Sequence, residues 1–213
     1  LSQAGPNGTV VFYYSGDGTQ LDENVGLTGA DDPEDDGKDE ALYVWGNTAE
    51  GKGSLILDDE IGILAGELNA GRVLIVLDAC YSGTGTRGGA GGSPKLARFE
   101  DIEGLLDRPK AYLGTKGMKS DLPAGHILLS ASGNKEVSWT ASGWPTRGGL
   151  ASVFTNYLVK AMYKAPPGTT VEQLMTTVAG QTNEFTKASY GKTQTPQAEG
   201  TRVGEALTAY LGQ

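Results

Sequence analysis

The stretch Val73-Leu74-Ile75-Val76-Leu77-Asp78-Ala79-Cys80 is followed by Tyr81-Ser82-Gly83. A continuous aliphatic run of this length is typical of a strand buried inside a parallel sheet, and the glycine marks a turn. The strand therefore ends in an acid and in the only cysteine of the chain. Open α/β sheets bind their ligands at the carboxyl ends of their strands, so we expect Cys80 at a functional edge. The alternative for Cys80 is a buried structural thiol, because free cysteine is among the most buried residue types.

A second segment has the same form, since the apolar run 10–14 leads into Ser15-Gly16-Asp17-Gly18. Two such strand ends, side by side, can hold a nucleophile and its partner. Asp17 stands where a cysteine hydrolase would use histidine, and the single histidine, His126, begins a later predicted strand. The alternative for Asp17 is a turn residue between two glycines, a position that suits aspartate.

The rest of the chain alternates predicted strands with predicted helices. Apolar periodicity predicts a helix over 58–69 and another over 150–164, and Thr169 with Glu172 predicts a capping box for a third. Short strands are predicted at 42–45 and 127–131. This alternation predicts an α/β fold with a mostly parallel central sheet and helices on both faces.

Composition restricts the classes of partner. The chain has 213 residues with a net charge of −9, which argues against nucleic acid because phosphate binding needs clustered cations. Its apolar runs are far shorter than the ~18 residues of a membrane span. The sequence does not fix a compartment, but a soluble, cytoplasmic protein is favoured over an exported one.

These segments together resemble the caspase-like cysteine peptidases, and the metacaspases, including the bacterial ones, most closely. The resemblance implies a caspase-haemoglobinase fold in one domain, 1–213. It divides the domain into a large-subunit-like part (1–87), a Gly-rich, basic linker (88–125) and a small-subunit-like part (126–213). It also implies a monomer, and a first strand and helix upstream of Leu1. The segments that carry the resemblance are 12–20, 36–42, 57–61, 77–83, 129–132, 153–155 and 194–197.

The resemblance implies that Cys80 is the nucleophile, that Asp17 occupies the histidine position, and that the backbone N–H groups of Cys80 and Gly18 bind the oxyanion. A thiol of pKa ~8.5 is mostly protonated at neutral pH, and a nearby carboxylate disfavours the thiolate further. Losing general acid–base help typically costs about 10²–10⁴ in rate. We therefore expect an impaired cysteine endopeptidase. The alternative is a pseudoprotease that binds peptides or proteins, or that responds to Ca²⁺.

The resemblance also implies a specificity pocket lined by Asp78 and Ser15. A carboxylate there selects arginine or lysine, so the expected partners are peptides or proteins that carry these residues. Arg87 and Arg98 would then be candidate self-cleavage sites. The alternative for Asp78 is a residue that only caps the end of its strand.

Three acids, Asp39, Asp58 and Asp59, match carboxylates that bind Ca²⁺ in many metacaspases. Hard oxygen ligands from separate loops suit this ion. Arg87 replaces a further aspartate of the family, and a cation there weakens the site. The alternative for the acidic run near Asp39 is a solvated surface loop, which charge runs usually form.

Overall fold

The computed structural model describes residues 4–22, 38–44, 54–80, 92–95, 125–133, 136–142, 144 and 150–211. The strands within them are β1 (Gly5–Ser15), β2 (Asp17–Asp22), β3 (Lys38–Val44), β4 (Ser54–Leu57), β5 (Ala70–Asp78), β6 (Gly92–Pro94), β7 (His126–Ser130), β8 (Trp139–Ser142), β9 (Leu150–Ser152) and β10 (Gln197–Glu199). The helices are α1 (Asp58–Gly66), α2 (Val153–Lys164), α3 (Val171–Tyr190) and α4 (Thr208–Leu211).

A four-stranded sheet lies at the centre, in the order β1-β5-β7-β10. β1, β5 and β7 run parallel, and β10 pairs with β7 in the antiparallel direction. Two three-stranded antiparallel sheets, β2-β3-β4 and β6-β8-β9, complete the described strands. The parallel strands place several carboxyl ends at one edge of the central sheet, where the site is built.

The side chains of β5 alternate between two cores, as those of a doubly covered strand must. Leu74 and Val76 pack into a core with residues of α2, α3 and α4. Ile75 faces the other core, where Ile61 of α1 packs against it. Helices therefore cover both faces of a mostly parallel sheet, as the sequence predicted.

Three helix boundaries differ from the sequence prediction. The helix predicted over 58–69 ends at Gly66. Thr170 is the N-cap of α3 and shares a capping box with Gln173, whereas Thr169 uses its hydroxyl to donate to the carbonyl of Pro166. The predicted pair, Thr169 and Glu172, was therefore wrong by one residue. The predicted helix over 150–164 begins at Val153, because the three residues before it pair with β8.

The predicted linker, 88–125, contains a strand. Within its described residues, β6 (Gly92–Pro94) pairs with β8, and Lys95 is buried. Backbone groups make this pairing, so the glycine-rich stretch needs no apolar pattern, and its sequence does not reveal the strand.

At the outer side of the central sheet, β1 exposes Val11, Phe12 and Tyr13. The strand and helix expected upstream of Leu1 stay a prediction. None of the helices in the described part of the chain is long and apolar enough to cross a membrane.

Candidate active site

The ends of β1 and β5 lie side by side. The two strands are in register so that Ser15 pairs with Asp78, and the N–H of Gly16 donates to the carbonyl of Asp78 at 3.2 Å. Gly18 then passes so close to Cys80 that an added Cβ would lie 2.3 Å from the Cys80 carbonyl oxygen. Only glycine fits this approach, and it brings the two segments together as the sequence predicted.

Two backbone donors converge on one oxygen at this junction. The N–H of Gly18 and the N–H of Cys80 both donate to the carbonyl of Lys95, at 3.2 and 3.1 Å. Paired backbone donors of this kind stabilise the oxyanion that forms during acyl transfer. Here the oxygen they hold belongs to the chain's own lysine.

The ammonium of Lys95 is bound at the same place. Its Nζ lies 2.8 Å from Oδ1 of Asp78, and it donates to the Ser15 hydroxyl at 2.6 Å and to the Asp78 carbonyl at 3.0 Å. Asp78 is 0% exposed and Lys95 is 5% exposed. Lysine and aspartate are rarely buried unless they are paired, so this is a pocket for a cation.

Two hydroxyls complete what we call the Asp78 pocket, which consists of Ser15, Asp78, Ser138 and Thr155. The Ser138 hydroxyl donates to Oδ1 of Asp78 at 3.0 Å, and the Thr155 hydroxyl donates to Oδ2. Thr155 also shares a 2.9 Å hydrogen bond with the Tyr13 hydroxyl. Both carboxylate oxygens are therefore bound, which fixes the carboxylate towards the ammonium.

The loop that carries Ser138 is held by a buried glutamine. Gln194 accepts from the N–H of Trp139 at 3.3 Å, and its amide donates to the Ala131 carbonyl at 3.0 Å and to the Ser138 hydroxyl at 3.3 Å. Gln194 is 0% exposed. It links the end of β7 to the start of β8 and so positions one wall of the pocket.

The Cys80 thiol is fully buried. It donates to the Ser138 carbonyl and accepts from the Ser138 N–H, both at 2.9 Å. Burial raises the pKa of the Cys80 thiol to about 12, since the hydrogen bonds with the Ser138 and Lys95 backbones and the charge of Lys95 only partly oppose it. Asp78 adds to the rise. Cys80 is thus protonated at neutral pH.

Asp17 is exposed at the start of β2, directly before Gly18. Its carbonyl accepts from the Tyr14 hydroxyl at 2.8 Å, and its charge, after burial, raises the pKa of Tyr14. The sequence predicted that Asp17 would disfavour the thiolate. Burial is the first cause of the raised pKa of Cys80, and the charge of Asp78 adds to it, whereas the effect of Asp17 on the thiol stays a prediction.

His126 is distant from the thiol along the sheet. It begins β7, where it pairs with Val73, and its Nε2 is hydrogen-bonded to the Ala65 carbonyl at 3.0 Å. Cys80 follows the opposite end of β5. At about 3.3 Å per strand residue, the two side chains lie too far apart to exchange a proton.

The remaining predicted site residues are only partly described. Asp58 is buried at the start of α1, whereas the side chains of Asp39 and Asp59 lie outside the described residues. Among the described side chains, no group of three acids, histidines or cysteines could hold a metal ion. Calcium binding stays a prediction. Arg87 and Arg98 also lie outside the described residues.

Sequence reasoning missed Lys95 and Ser138. Lys95 was counted only among the basic residues of the linker, and Ser138 follows the matched segment 129–132. Thr155 and Gln194 lie in segments that carried the resemblance, but no role was predicted for them. Their spacing from Asp78 in the chain, 77 residues for Thr155, carries no local signal.

Curated proteins resemble this chain in sequence. The chain is 31% identical over 150 residues to Metacaspase-1A of Aspergillus terreus, an alignment covering 66% of this chain and 35% of that protein. It is 33% identical over 118 residues to Metacaspase-1 of Pyricularia oryzae, covering 51% and 27%. The chain thus spans about a third of the length of the curated relatives it matches.

A solved structure agrees with the fold. The crystal structure of a Geobacter sulfurreducens protein superposes with a TM-score of 0.52 at 19% identity, covering 89% of this chain and 64% of that one. The family described as "Caspase domain" matches residues 2–207. A match of that extent, over a sheet and strand ends arranged as above, shows that this chain belongs to the caspase-domain family.

Proposed function

We propose that this chain is the peptidase unit of a metacaspase-type cysteine endopeptidase that hydrolyses peptide bonds after lysine or arginine. In the present form Asp17 impairs it. One observation carries the proposal: a lysine is bound with its ammonium on Asp78 and its carbonyl on the N–H groups of Gly18 and Cys80. That is the posture a substrate needs beside a cysteine nucleophile.

Each residue of the site then has a role. Asp78 selects a basic side chain, and Ser15 accepts a hydrogen bond from the bound cation. Gly18 and Cys80 supply the oxyanion donors. Arginine fits the same chemistry, because a guanidinium can donate to a carboxylate and to a neighbouring hydroxyl at once.

Proton transfer is the missing step. With a pKa of about 12, the thiol is ionised to only about one part in 10⁵ at pH 7, so a base must take its proton during attack. Asp17 puts a carboxylate where a histidine would take that proton, and a carboxyl group with the reference pKa of ~3.9 carries no proton at pH 7 that it could return to the leaving amine. We therefore expect turnover to be reduced by about 10²–10⁴ relative to a histidine at this position.

The test uses a fluorogenic peptide, acetyl-Gly-Ser-Pro-Lys with an aminocoumarin leaving group. We expect Asp17→His to raise kcat/KM by about 10²–10⁴ over the unmodified chain. Asp17→Asn is the control, because it removes the charge without adding a base and should not raise the rate. Each variant is also assayed with Lys95→Ala, so that the bound lysine cannot hide a competent site. A rise with Asp17→Asn, or none with Asp17→His in either background, would contradict the proposal.

A second function, the binding of peptides without cleavage, is also favoured by the aspartate at position 17. Because position 17 carries an aspartate and the Asp78 pocket holds a lysine, the chain also suits a pseudoprotease that binds basic peptides without cleaving them. This alternative expects the Gly-Ser-Pro-Lys peptide to bind to Lys95→Ala, and no Asp17 variant to cleave it. Binding is measured by fluorescence anisotropy of the labelled peptide.

Calcium binding by Asp39, Asp58 and Asp59 is proposed separately. Calorimetric titration with CaCl₂ should give heat that disappears in Asp58→Asn. Absence of heat at millimolar calcium would exclude the site.

A further inference from the structure

We propose that the groove between α2 and α3 binds an acidic peptide segment of a partner protein, with two of its carboxylates on Lys160 and Lys164. None of the residues of the Asp78 pocket lines this groove. The inference therefore goes beyond the proposed function and does not depend on it, because a peptide bound between the two helices is held without being cut.

The groove has the size and shape of a short peptide. Its volume is about 420 Å³, within the usual range of ligand sites, and the buried side chains of Ala161 and Leu174 form its floor. On the α2 side its lining runs from Tyr157 to Lys164. At 1.5 Å per helical residue this distance is about 10 Å, which corresponds to about three residues of an extended chain.

Two cations line the α2 side without an acid to pair with. Lys160 and Lys164 are exposed and one helical turn apart, so their side chains lie on the same face of α2. Neither forms an ion pair with any residue in the described part of the chain. The end of α2 favours a cation at Lys164, but it does not account for Lys160 one turn earlier. In a chain of net charge −9, this pair forms a local site for an anion.

Lys160 is positioned by aromatic rings and not by an acid. Its Nζ lies 5.4 Å from the ring centroid of Trp144 and 5.4 Å from that of Tyr157. Cation–π contacts attract an ammonium but leave its charge in place. Burial first, and then the charge of Glu184, raise the pKa of Tyr157, yet Glu184 makes no ion pair with a described lysine. The rings thus restrict Lys160 in advance, which lowers the entropy cost of binding a carboxylate.

The α3 side of the groove carries no charge. Leu174, Thr177 and Gln181 line it, and the Thr177 hydroxyl already donates to the Gln173 carbonyl at 3.3 Å. One side of the groove is therefore cationic, whereas the other is neutral and partly apolar. Side chains of an extended peptide alternate in direction, so the order acid–apolar–acid turns both acids towards α2 and the apolar side chain towards Leu174.

The spacing of the two lysines agrees with this order. Lys160 and Lys164 are separated by about 6 Å along the axis of α2. Two acids with one residue between them are separated by about 6.6 Å in an extended chain. Each carboxylate can therefore reach one ammonium while the residue between them contacts the floor of the groove.

Binding is tested by fluorescence anisotropy with fluorescein-labelled Gly-Glu-Leu-Glu-Gly, which has no basic side chain for the Asp78 pocket. We expect saturable binding that weakens severalfold between about 50 and about 300 mM NaCl, because salt screens exposed charges. The matched peptide Gly-Gln-Leu-Gln-Gly is the control and should bind about tenfold more weakly. Equal binding of the two peptides, or no saturation at millimolar peptide, would overturn the proposal.

A charge reversal locates the site on the protein. Lys160→Glu/Lys164→Glu should weaken binding of the acidic peptide by about tenfold or more, since each lost attraction is replaced by repulsion. Lys187→Glu/Lys192→Glu makes the same change in net charge at exposed positions outside the groove and should stay within about twofold of the unmodified chain. Equal losses in the two double variants would assign the binding to net charge and overturn the site.

A change of shape tests the groove independently of charge. Thr177→Trp places a large ring in the groove and should abolish binding, whereas Thr176→Trp, at the adjacent exposed position outside it, should not. Both threonine hydroxyls donate within α3, and circular dichroism checks that each variant is folded. Unchanged binding in Thr177→Trp would overturn the groove as the site. Saturable binding of free succinate without binding of the peptide would assign the groove to a small anion and overturn the peptide as its occupant.

Discussion

The Asp78 pocket and the strand end that carries Asp17 are neighbours, yet they differ in how deeply their acidic side chains are buried. Asp78 is buried with both oxygens hydrogen-bonded and a cation in place. Asp17 is exposed one residue before the glycine that closes the junction. In the proposed function, recognition of the substrate would depend on a connected network of hydrogen bonds, whereas proton transfer would depend on one side chain. Recognition would then stay intact when proton transfer is lost.

The largest effect should come from Asp78→Asn in the Asp17→His background. Removing one partner of a buried charge pair costs about 2–5 kcal/mol, which should appear in kcat/KM for the lysine peptide. A matched peptide with norleucine in place of lysine is the control, because it has no ammonium to lose. If both peptides are affected equally, Asp78 does not recognise the ammonium of the substrate. The Asp78 pocket would then not be the recognition site that the comparison with the Asp17 strand end assumes.

Gln194→Leu should come next, because it leaves the Trp139 N–H and the Ala131 carbonyl without their buried partner. Each such group costs about 1–3 kcal/mol, so we expect the free energy of unfolding to fall by about 2–4 kcal/mol. Urea denaturation measures this. Gln181→Leu, on the exposed side of α3, is the control and should be nearly neutral. A neutral Gln194→Leu would show that the pocket wall does not need this support.

The pH dependence of stability tests whether burial or the charge of Asp17 raises the pKa of Cys80. Because folding raises the pKa of Cys80 to about 12, the protonated thiol contributes fully to the free energy of unfolding below pH ~9, and this contribution is lost as the pH rises towards 12. Relative to Cys80→Ala, the free energy of unfolding of the unmodified chain should fall by about 2 kcal/mol between pH 9 and 10.5. Tyrosines with raised pKa values are common to both proteins and cancel. Asp17→Asn should keep the slope; a flatter slope there would mean that Asp17 acts on the thiol after all.

The smallest effect should come from Thr155→Val, which removes one hydroxyl from Oδ2 of Asp78. A hydrogen bond to a charged group contributes about 1.5–3 kcal/mol, and water can replace part of it, so we expect about 1.5 kcal/mol in kcat/KM for the lysine peptide. Thr155→Ser keeps the hydroxyl and is the control. Equal losses in the two variants would assign the effect to packing.

Much of the fold could be predicted because it rests on local patterns. The aliphatic run of β5 and its acid-cysteine ending predicted a buried strand with a functional carboxyl end, and β1 repeated the form. The capping box was misplaced by one residue because two adjacent threonines each precede a suitable partner. Sequence spacing cannot distinguish such pairs, whereas the extended backbone at Thr170 does.

The occupant of the pocket could not be predicted. Lys95 is 17 residues from Asp78 and 80 from Ser15, and its own stretch of glycine, serine and proline has no periodicity. Backbone hydrogen bonds, which any sequence can supply, hold it, together with ammonium contacts to residues that are distant in the chain. Likewise, the burial that raises the pKa of Cys80 depends on which segments pack over it, and the reasoning from Asp17 included neither that burial nor the contribution of Asp78.

The exposure of Asp17 has a practical consequence. A side chain that borders solvent can be exchanged without repacking a core, so the proposed function implies that peptide binding and turnover could be altered independently in this protein. With Lys95 replaced and Asp17 retained, the protein would serve as a capture reagent that retains lysine-bearing chains intact. The histidine form of the same reagent would release them as fragments.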